Sequence, residues 1–166
     1  MAEQIATQRL LLRRFRLDDT VAMHQIMIDV VAMRFWSTLP HESMEQTEAW
    51  VRSEVEAPPH LSDDFVVTLN GALIGKLGCW RLPEIGFLLG REAWGNGYAI
   101  EAMTAFVARR RALSSTELTA AVDPRNAASL RLLHNAGFEE TRRAERTWKL
   151  GDEWCDSVYL RLDLRR

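Results

Sequence analysis

Cysteine is scarce in this chain. Cys79 and Cys155 are the only two, they stand far apart, and neither has a neighbour at metal-ligand spacing. Both are therefore expected as small buried apolar residues. The four histidines (His24, His41, His60, His134) are scattered, which excludes a zinc motif, and no metal is expected. No apolar run approaches the ~18 residues of a membrane span. The N-terminus lacks the apolar core of a signal peptide, so a cytoplasmic protein with no membrane partner is the expectation. Charge of one sign is missing too. The 21 basic residues, nearly all arginine, face 23 acidic ones for a net charge of −2. That removes the global positive field that would advertise nucleic acid. There is no repeat, low-complexity stretch or linker. With 166 residues, 47% of them hydrophobic, the chain reads as one domain, 1–166, that buries its own core.

What is present is most informative at Trp94-Gly95-Asn96-Gly97-Tyr98-Ala99. The apolar run Ile85–Leu89 before it reads as a buried strand. After it, Ala99, Ala102, Met103, Phe106 and Val107 recur at helical spacing. A strand, a glycine turn and a helix start present unpaired backbone N–H groups, a ready site for pyrophosphate. The G-x-G-x-x-G spacing of a dinucleotide fold fails, because Ile100 stands where the third glycine would be.

Periodicity places the remaining elements. Arg9–Phe15 alternates as a first strand. Asp18 or Asp19 is expected to cap a helix carrying Val21, Met23, Ile26 and Met27. Ser43 to Gln46 forms a capping box for a second helix, which Pro58-Pro59 follows. Asn70-Gly71 marks a hairpin, and Pro83 leaves a very tight link to the strand Glu84–Leu89. Arg109, Arg110 and Arg111 end the third helix, read as a solvated helix end suited to the macrodipole. Leu118–Val122 is a strand, and a fourth helix runs from Asn126 to a Gly137 stop. Two long closing strands complete an interleaved, mixed α+β unit.

Two segments, Glu84–Phe87 leading into Trp94–Ala102, and Asp123–Arg131 ending in Ala136-Gly137-Phe138, resemble the GCN5-related N-acetyltransferases (GNAT). The opening Thr7–Arg13 and closing Trp154–Tyr159 are similar to the RimJ/RimL branch, which includes ribosomal-protein N-terminal acetyltransferases. The resemblance implies a central, mostly antiparallel twisted sheet of six to seven strands, flanked by about four helices. Two of its strands splay to hold acyl-CoA. It also implies acetyl-CoA as co-substrate, a primary amine as acceptor (a protein N-terminus or a small molecule), direct attack in a ternary complex, and a homodimer by analogy. Trp94, Gly95, Asn96, Gly97, Tyr98 and Ala99 would hold the pyrophosphate. Phe87, Leu88 and Leu89 would hold the pantetheine arm as an extra strand. Asn126 and Ser129 would contact the cofactor, and Arg131 would reach a phosphate.

The resemblance breaks at the general acid. Many members place a tyrosine where this chain has Leu133, and Ser129 is the candidate substitute. A thiol of reference pKa ~8.5 leaves readily, so the demand is modest. Attack needs a neutral amine. A lysine-like acceptor asks for about 3.5 kcal/mol more help than an α-amine, from their ~2.6-unit difference in pKa. Glu84 is the leading base candidate and Glu101 a second, although a carboxylate in a first helical turn is accounted for by the macrodipole. Trp36, Trp50, Trp80 and Trp148 are candidates for lining the acceptor cleft, or for the core. The alternative to an enzyme is a weak or inactive acyl-CoA-binding module.

Overall fold

The computed structural model describes residues 3–165. Met1, Ala2 and Arg166 of the expected 1–166 unit lie outside them. One eight-stranded sheet runs in the order β1-β2-β3-β4-β5-β6-β8-β7. Its strands are β1 (Gln4–Ala6), β2 (Leu10–Arg13), β3 (Asp63–Leu69), β4 (Ala72–Arg81), β5 (Glu84–Leu89), β6 (Glu117–Val122), β7 (Glu139–Leu150) and β8 (Glu153–Asp163). Every neighbouring pair is antiparallel except β5 with β6. The strand beyond the expected six to seven is β1, whose three residues are too short for alternation to reveal. It forms because Thr7 turns the chain, its N–H donating to the Leu10 carbonyl at 2.9 Å.

Four helices cover the two faces: α1 (Thr20–Met27), α2 (Met44–Glu56), α3 (Tyr98–Ala112) and α4 (Ala127–Asn135). Alternation along the central strands sorts the core. Phe65, Val67 and Leu77 join Ala102, Met103 and Phe106 of α3 and Leu133 of α4. Val66 and Leu88 point the other way, onto Met23, Ile26 and Met27 of α1 and Val51 of α2. Cys79 and Cys155 are buried and free. No helix among the described residues is long and apolar enough to cross a membrane.

Local signals explain most boundaries. Asn70 and Gly71 both take positive φ, 50° and 84°, as a two-residue hairpin turn requires. The Ser43 hydroxyl accepts from the Gln46 N–H at 3.2 Å, and the Gln46 amide accepts from the N–H of Glu42 at 2.9 Å. Two expectations need correction. The Asp19 side chain does not cap α1. It accepts from the Arg16 N–H at 2.8 Å and binds the Arg13 guanidinium at 2.6 Å, because a short 3₁₀ turn, Leu17–Asp19, precedes the helix. Nor is the arginine run a purely solvated helix end. Arg109 and Arg110 reach across to the buried Asp63 of β3, at 3.1 and 2.8 Å, where Arg14 joins them at 2.8 Å.

Burial works against the Asp63 carboxylate, and the Arg109 and Arg110 guanidiniums outweigh it, holding its pKa below the usual carboxylate range. Asp63→Asn leaves these arginines short of a counter-charge and should lower stability by about 3–5 kcal/mol in urea unfolding at neutral pH. A depressed native pKa stabilises only above the unfolded value. The gap between wild type and variant should therefore close as pH falls below about 4.

Candidate active site

β5 and β6 touch at one pair only, Glu84 with Thr119, reinforced by the Thr119 N–H donating to the Pro83 carbonyl at 3.0 Å. Beyond that bridge β5 runs to Leu89 with no strand on its β6 side, leaving an open edge over Ile85–Leu89. Because the two strands are parallel, their C-terminal ends lie at the same end of the sheet. The helices that follow them, α3 and α4, start there, where open α/β sheets bind ligands. Phe87 is half-buried, and Leu88 and Leu89 are buried. The Leu89 carbonyl is already taken by the Trp94 indole N–H at 2.9 Å, which folds that half-exposed ring back over the strand end.

The glycine turn is held from inside. The Asn96 amide donates to the Trp94 carbonyl at 2.9 Å, and Gly97 takes φ 78° as the residue that opens α3. The first bond within the helix is Glu101 N–H to Gly97 carbonyl, 3.2 Å. The N–H groups of Tyr98, Ala99 and Ile100 therefore have no acceptor within the helix. Gly95, Asn96 and Gly97 are exposed, and Tyr98 and Ala99 half-buried. Such a turn can receive an anion of pyrophosphate size.

The turn is also held from outside, by a residue that sequence reasoning passed over. Arg9 donates through Nη1 to the Asn96 carbonyl at 3.0 Å and through Nε to Glu101 at 2.7 Å, with its guanidinium 4.6 Å from the Tyr98 ring centroid. Glu101 also accepts from the Thr7 hydroxyl at 2.6 Å and the Arg9 N–H at 2.8 Å, and these bonds hold its carboxyl below the usual range. Glu101 is thus tied to the turn after β1 and is not free to act as a base. The only available signal was its place, with Thr7-Gln8-Arg9, in the opening segment.

At the other helix start, Asn126 caps α4 by accepting from the Ser129 N–H at 3.2 Å. Ser129 is half-buried and Arg131 exposed on the same helix. Leu133, fully buried, offers no proton. Glu84 is exposed at the bridge, on the face of β5 shared with Gly86 and Leu88. That face is turned toward α1 and α2, and the segment between them (residues 28–43) crosses it. The Trp36 ring stands 3.8 Å from where a Cβ of Gly86 would be. Phe35 lies 5.8 Å from the Arg125 guanidinium, and Leu39 packs beside Gly151 at the tip between β7 and β8. Of the four tryptophans, Trp36 is the one placed over β5. Trp50 packs edge-on against Phe15, Trp80 is exposed near the tight Pro83 turn, and Trp148 is half-buried on β7.

The sheet with its splayed parallel pair and four helices is the α+β fold of the GNAT acetyltransferases. Residues 9–139 match the acetyltransferase (GNAT) domain, and the chain belongs to that family and is an N-acetyltransferase. The family uses acetyl-CoA. The chain is 26% identical to an uncharacterized N-acetyltransferase, p20, of Bacillus licheniformis over 149 residues, 83% of each chain. It shares its fold with a GNAT-family acetyltransferase from Bacillus anthracis, at 24% identity and a TM-score of 0.87, covering 99% and 100% of the two chains. It shares it also with RimL, a ribosomal L7/L12 α-N-protein acetyltransferase solved with coenzyme A, at 17% identity and a TM-score of 0.87, covering 97% and 98%.

Gly97→Ala forces a Cβ into left-handed backbone, a cost of about 1–2 kcal/mol, and brings it to 3.4 Å from the Arg9 guanidinium. The expected outcome is roughly tenfold weaker CoA binding by calorimetry, at 1.4 kcal/mol per tenfold, with an unchanged circular dichroism spectrum.

Proposed function

We propose that this protein transfers acetyl from acetyl-CoA to a primary amine by direct attack in a ternary complex. The acceptor is a peptide α-amine or a small-molecule amine. The observation that carries the reading is the open β5 edge between Glu84 and the unpaired N–H groups of α3. An extended pantetheine arm lying along Phe87–Leu89 would complete the sheet where β6 departs, with its phosphates at Trp94–Ala99 and its thioester near Gly86. Asn126 and Arg131 flank the same opening from α4. Backbone N–H groups of β5 facing the thioester carbonyl would stabilise the oxyanion, each worth about 2.7–4 kcal/mol by the usual measure.

Ser129 is the proton donor for the departing thiolate in this reading, since the buried Leu133 has no proton to give. Glu84, on the acceptor face at the bridge, is the carboxylate that meets an incoming ammonium at the mouth. No cysteine is needed as nucleophile. Cys79 is buried, which pushes its thiol far above the usual value, and Cys155 is raised in the same way.

The test is thiol release from acetyl-CoA across a panel of peptide α-amines and alkylamines. Release that depends on the amine supports the enzyme. CoA binding with no release from any amine is what an inactive acyl-CoA-binding module would give. Ser129→Ala should lower kcat by about tenfold or more, within the range for a general acid, and by more than it weakens CoA binding. An unchanged kcat removes the acid role from Ser129.

A further inference from the structure

The glycine turn before α3 has two accessible forms, and one arginine selects between them. Gly97 stands at φ 78°, ψ 8°. Those angles are the ones required at the third residue of a type II turn. Rotating the peptide bond before that residue gives a type I turn, with φ about −90° at the same position. Most residues strongly prefer one sign of φ, whereas glycine takes either about as readily. The Asn96–Gly97 peptide can therefore turn its carbonyl to one side of the turn or to the other.

Arg9 fixes the choice. Its Nη1 donates to the Asn96 carbonyl at 3.0 Å. The Asn96–Gly97 peptide is trans, so its N–H points opposite to its carbonyl. The Gly97 N–H is thereby turned away from Arg9, and it has no hydrogen-bond acceptor among the described residues. Arg9 reaches the turn from the corner between β1 and β2, at one end of the sheet, whereas the β5–β6 opening lies beyond β5 in the strand order. The guanidinium is itself held in place. Its Nε donates to Glu101 at 2.7 Å, and its face lies over the Tyr98 ring at 4.6 Å. Glu101 is fixed in turn by the Thr7 hydroxyl and the Arg9 N–H. The Arg9 side chain is 42% exposed, and an ion pair so open to water adds little stability. Orientation of one peptide is the better account of the arrangement.

We propose that Arg9 is a positioning residue for the phosphates of acetyl-CoA. By holding the Asn96 carbonyl, it keeps the Gly97 N–H aimed at the anion site before the ligand arrives. The assignment rests on the acetyl-transfer reading and adds a fourth donor to the N–H groups of Tyr98, Ala99 and Ile100. The guanidinium acts through the peptide and needs no contact with the ligand. In the rotated form the Asn96 carbonyl, with its partial negative charge, would face the incoming phosphates and the Gly97 N–H would be lost to them. Without Arg9 only a fraction of the molecules would hold the receptive turn, and apparent affinity would fall by that fraction.

The residue types fit the task. Arginine carries donors on three nitrogens in a rigid plane, so one side chain serves the Glu101 carboxylate and the Asn96 carbonyl at once while stacking on a ring. Glycine at 97 is needed on two counts. It supplies the left-handed backbone, and it leaves room for the guanidinium, since a Cβ there would stand 3.4 Å from Arg9 Nη2. The Asn96 side chain secures the other half of the turn by donating to the Trp94 carbonyl at 2.9 Å. The turn is thus set by its surroundings in the absence of ligand, which lowers the ordering cost of binding.

The test is initial-rate kinetics of CoA release from Arg9→Ala and the wild type. In the variant, KM for acetyl-CoA should rise by about tenfold or more, with kcat and the KM for the amine close to the wild-type values. With acetyl-pantetheine, which has no phosphates, that loss should disappear. An equal loss with both thioesters, a fall in kcat in place of the rise in KM, or no loss with acetyl-CoA overturns the proposal. Absence of thiol release from the wild type instead refutes the transferase reading itself. Amide NMR of the wild type gives a second readout that does not depend on the variant. On addition of CoA, the Gly97 amide proton should move downfield together with those of Tyr98, Ala99 and Ile100. Movement of those three without Gly97 overturns the proposal. If CoA moves none of the four, the cofactor site of the transferase reading is what falls.

Discussion

The single bridge between β5 and β6 is the constraint on which the rest of the molecule depends. Two parallel strands that paired along their length would bury every backbone group between them. Here they meet at Glu84 and Thr119 and then part, so that a row of β5 amides and carbonyls is left without strand partners. Such groups are tolerable only where water or a ligand reaches them. The helices that follow the two strands begin at the same end of the sheet and bring unpaired N–H groups and the Asn126 cap to that opening. The open edge and the two helix starts are three consequences of one divergence.

Electrostatics divides the two faces of the sheet. On the α3 side, Asp63 is surrounded by Arg14, Arg109 and Arg110, and positive charge is in excess. On the α2 side, one residue further along β3, Asp64 shares a single lysine with Glu54, and negative charge is in excess. Alternation along a strand sends consecutive aspartates to opposite faces. The first cluster locks α3 to the sheet. The second lies beneath Trp36, on the side crossed by residues 28–43, and ties α2 to the sheet there.

Much of the architecture was legible in the sequence, because its signals are local. Asn70-Gly71, the Ser43 cap and the Gly95–Gly97 turn each state a backbone conformation within a few residues. The strand-turn-helix order around Trp94–Ala99 was therefore readable without knowledge of the sheet. What stayed hidden is non-local. Arg9 stands 87 positions from the Asn96 carbonyl it holds. Lys76 meets Asp64 and Glu54 only through strand register and helix docking. Nothing in the spacing said which carboxyls would face that lysine. The arginine run at the end of α3 misled for the same reason, since a solvated end and an anchor to a distant aspartate look alike in one dimension.

The gap beside β5 has a consequence for folding as well as for chemistry. Strands β1–β5 are continuous in their pairing, and so are β6, β8 and β7, but one bridge joins the two groups. The sheet is therefore two ribbons sewn together at one stitch, and this seam is its weakest line. A pantetheine arm lying in the gap would hydrogen-bond along β5 where a neighbouring strand would otherwise pair. By linkage, a ligand present at a hundred times its dissociation constant adds about 2.7 kcal/mol to the folded state. The co-substrate pool would then act as a chaperone for the protein that consumes it. A drop in that pool would slow turnover and also leave more of the chain open to unfolding along this seam.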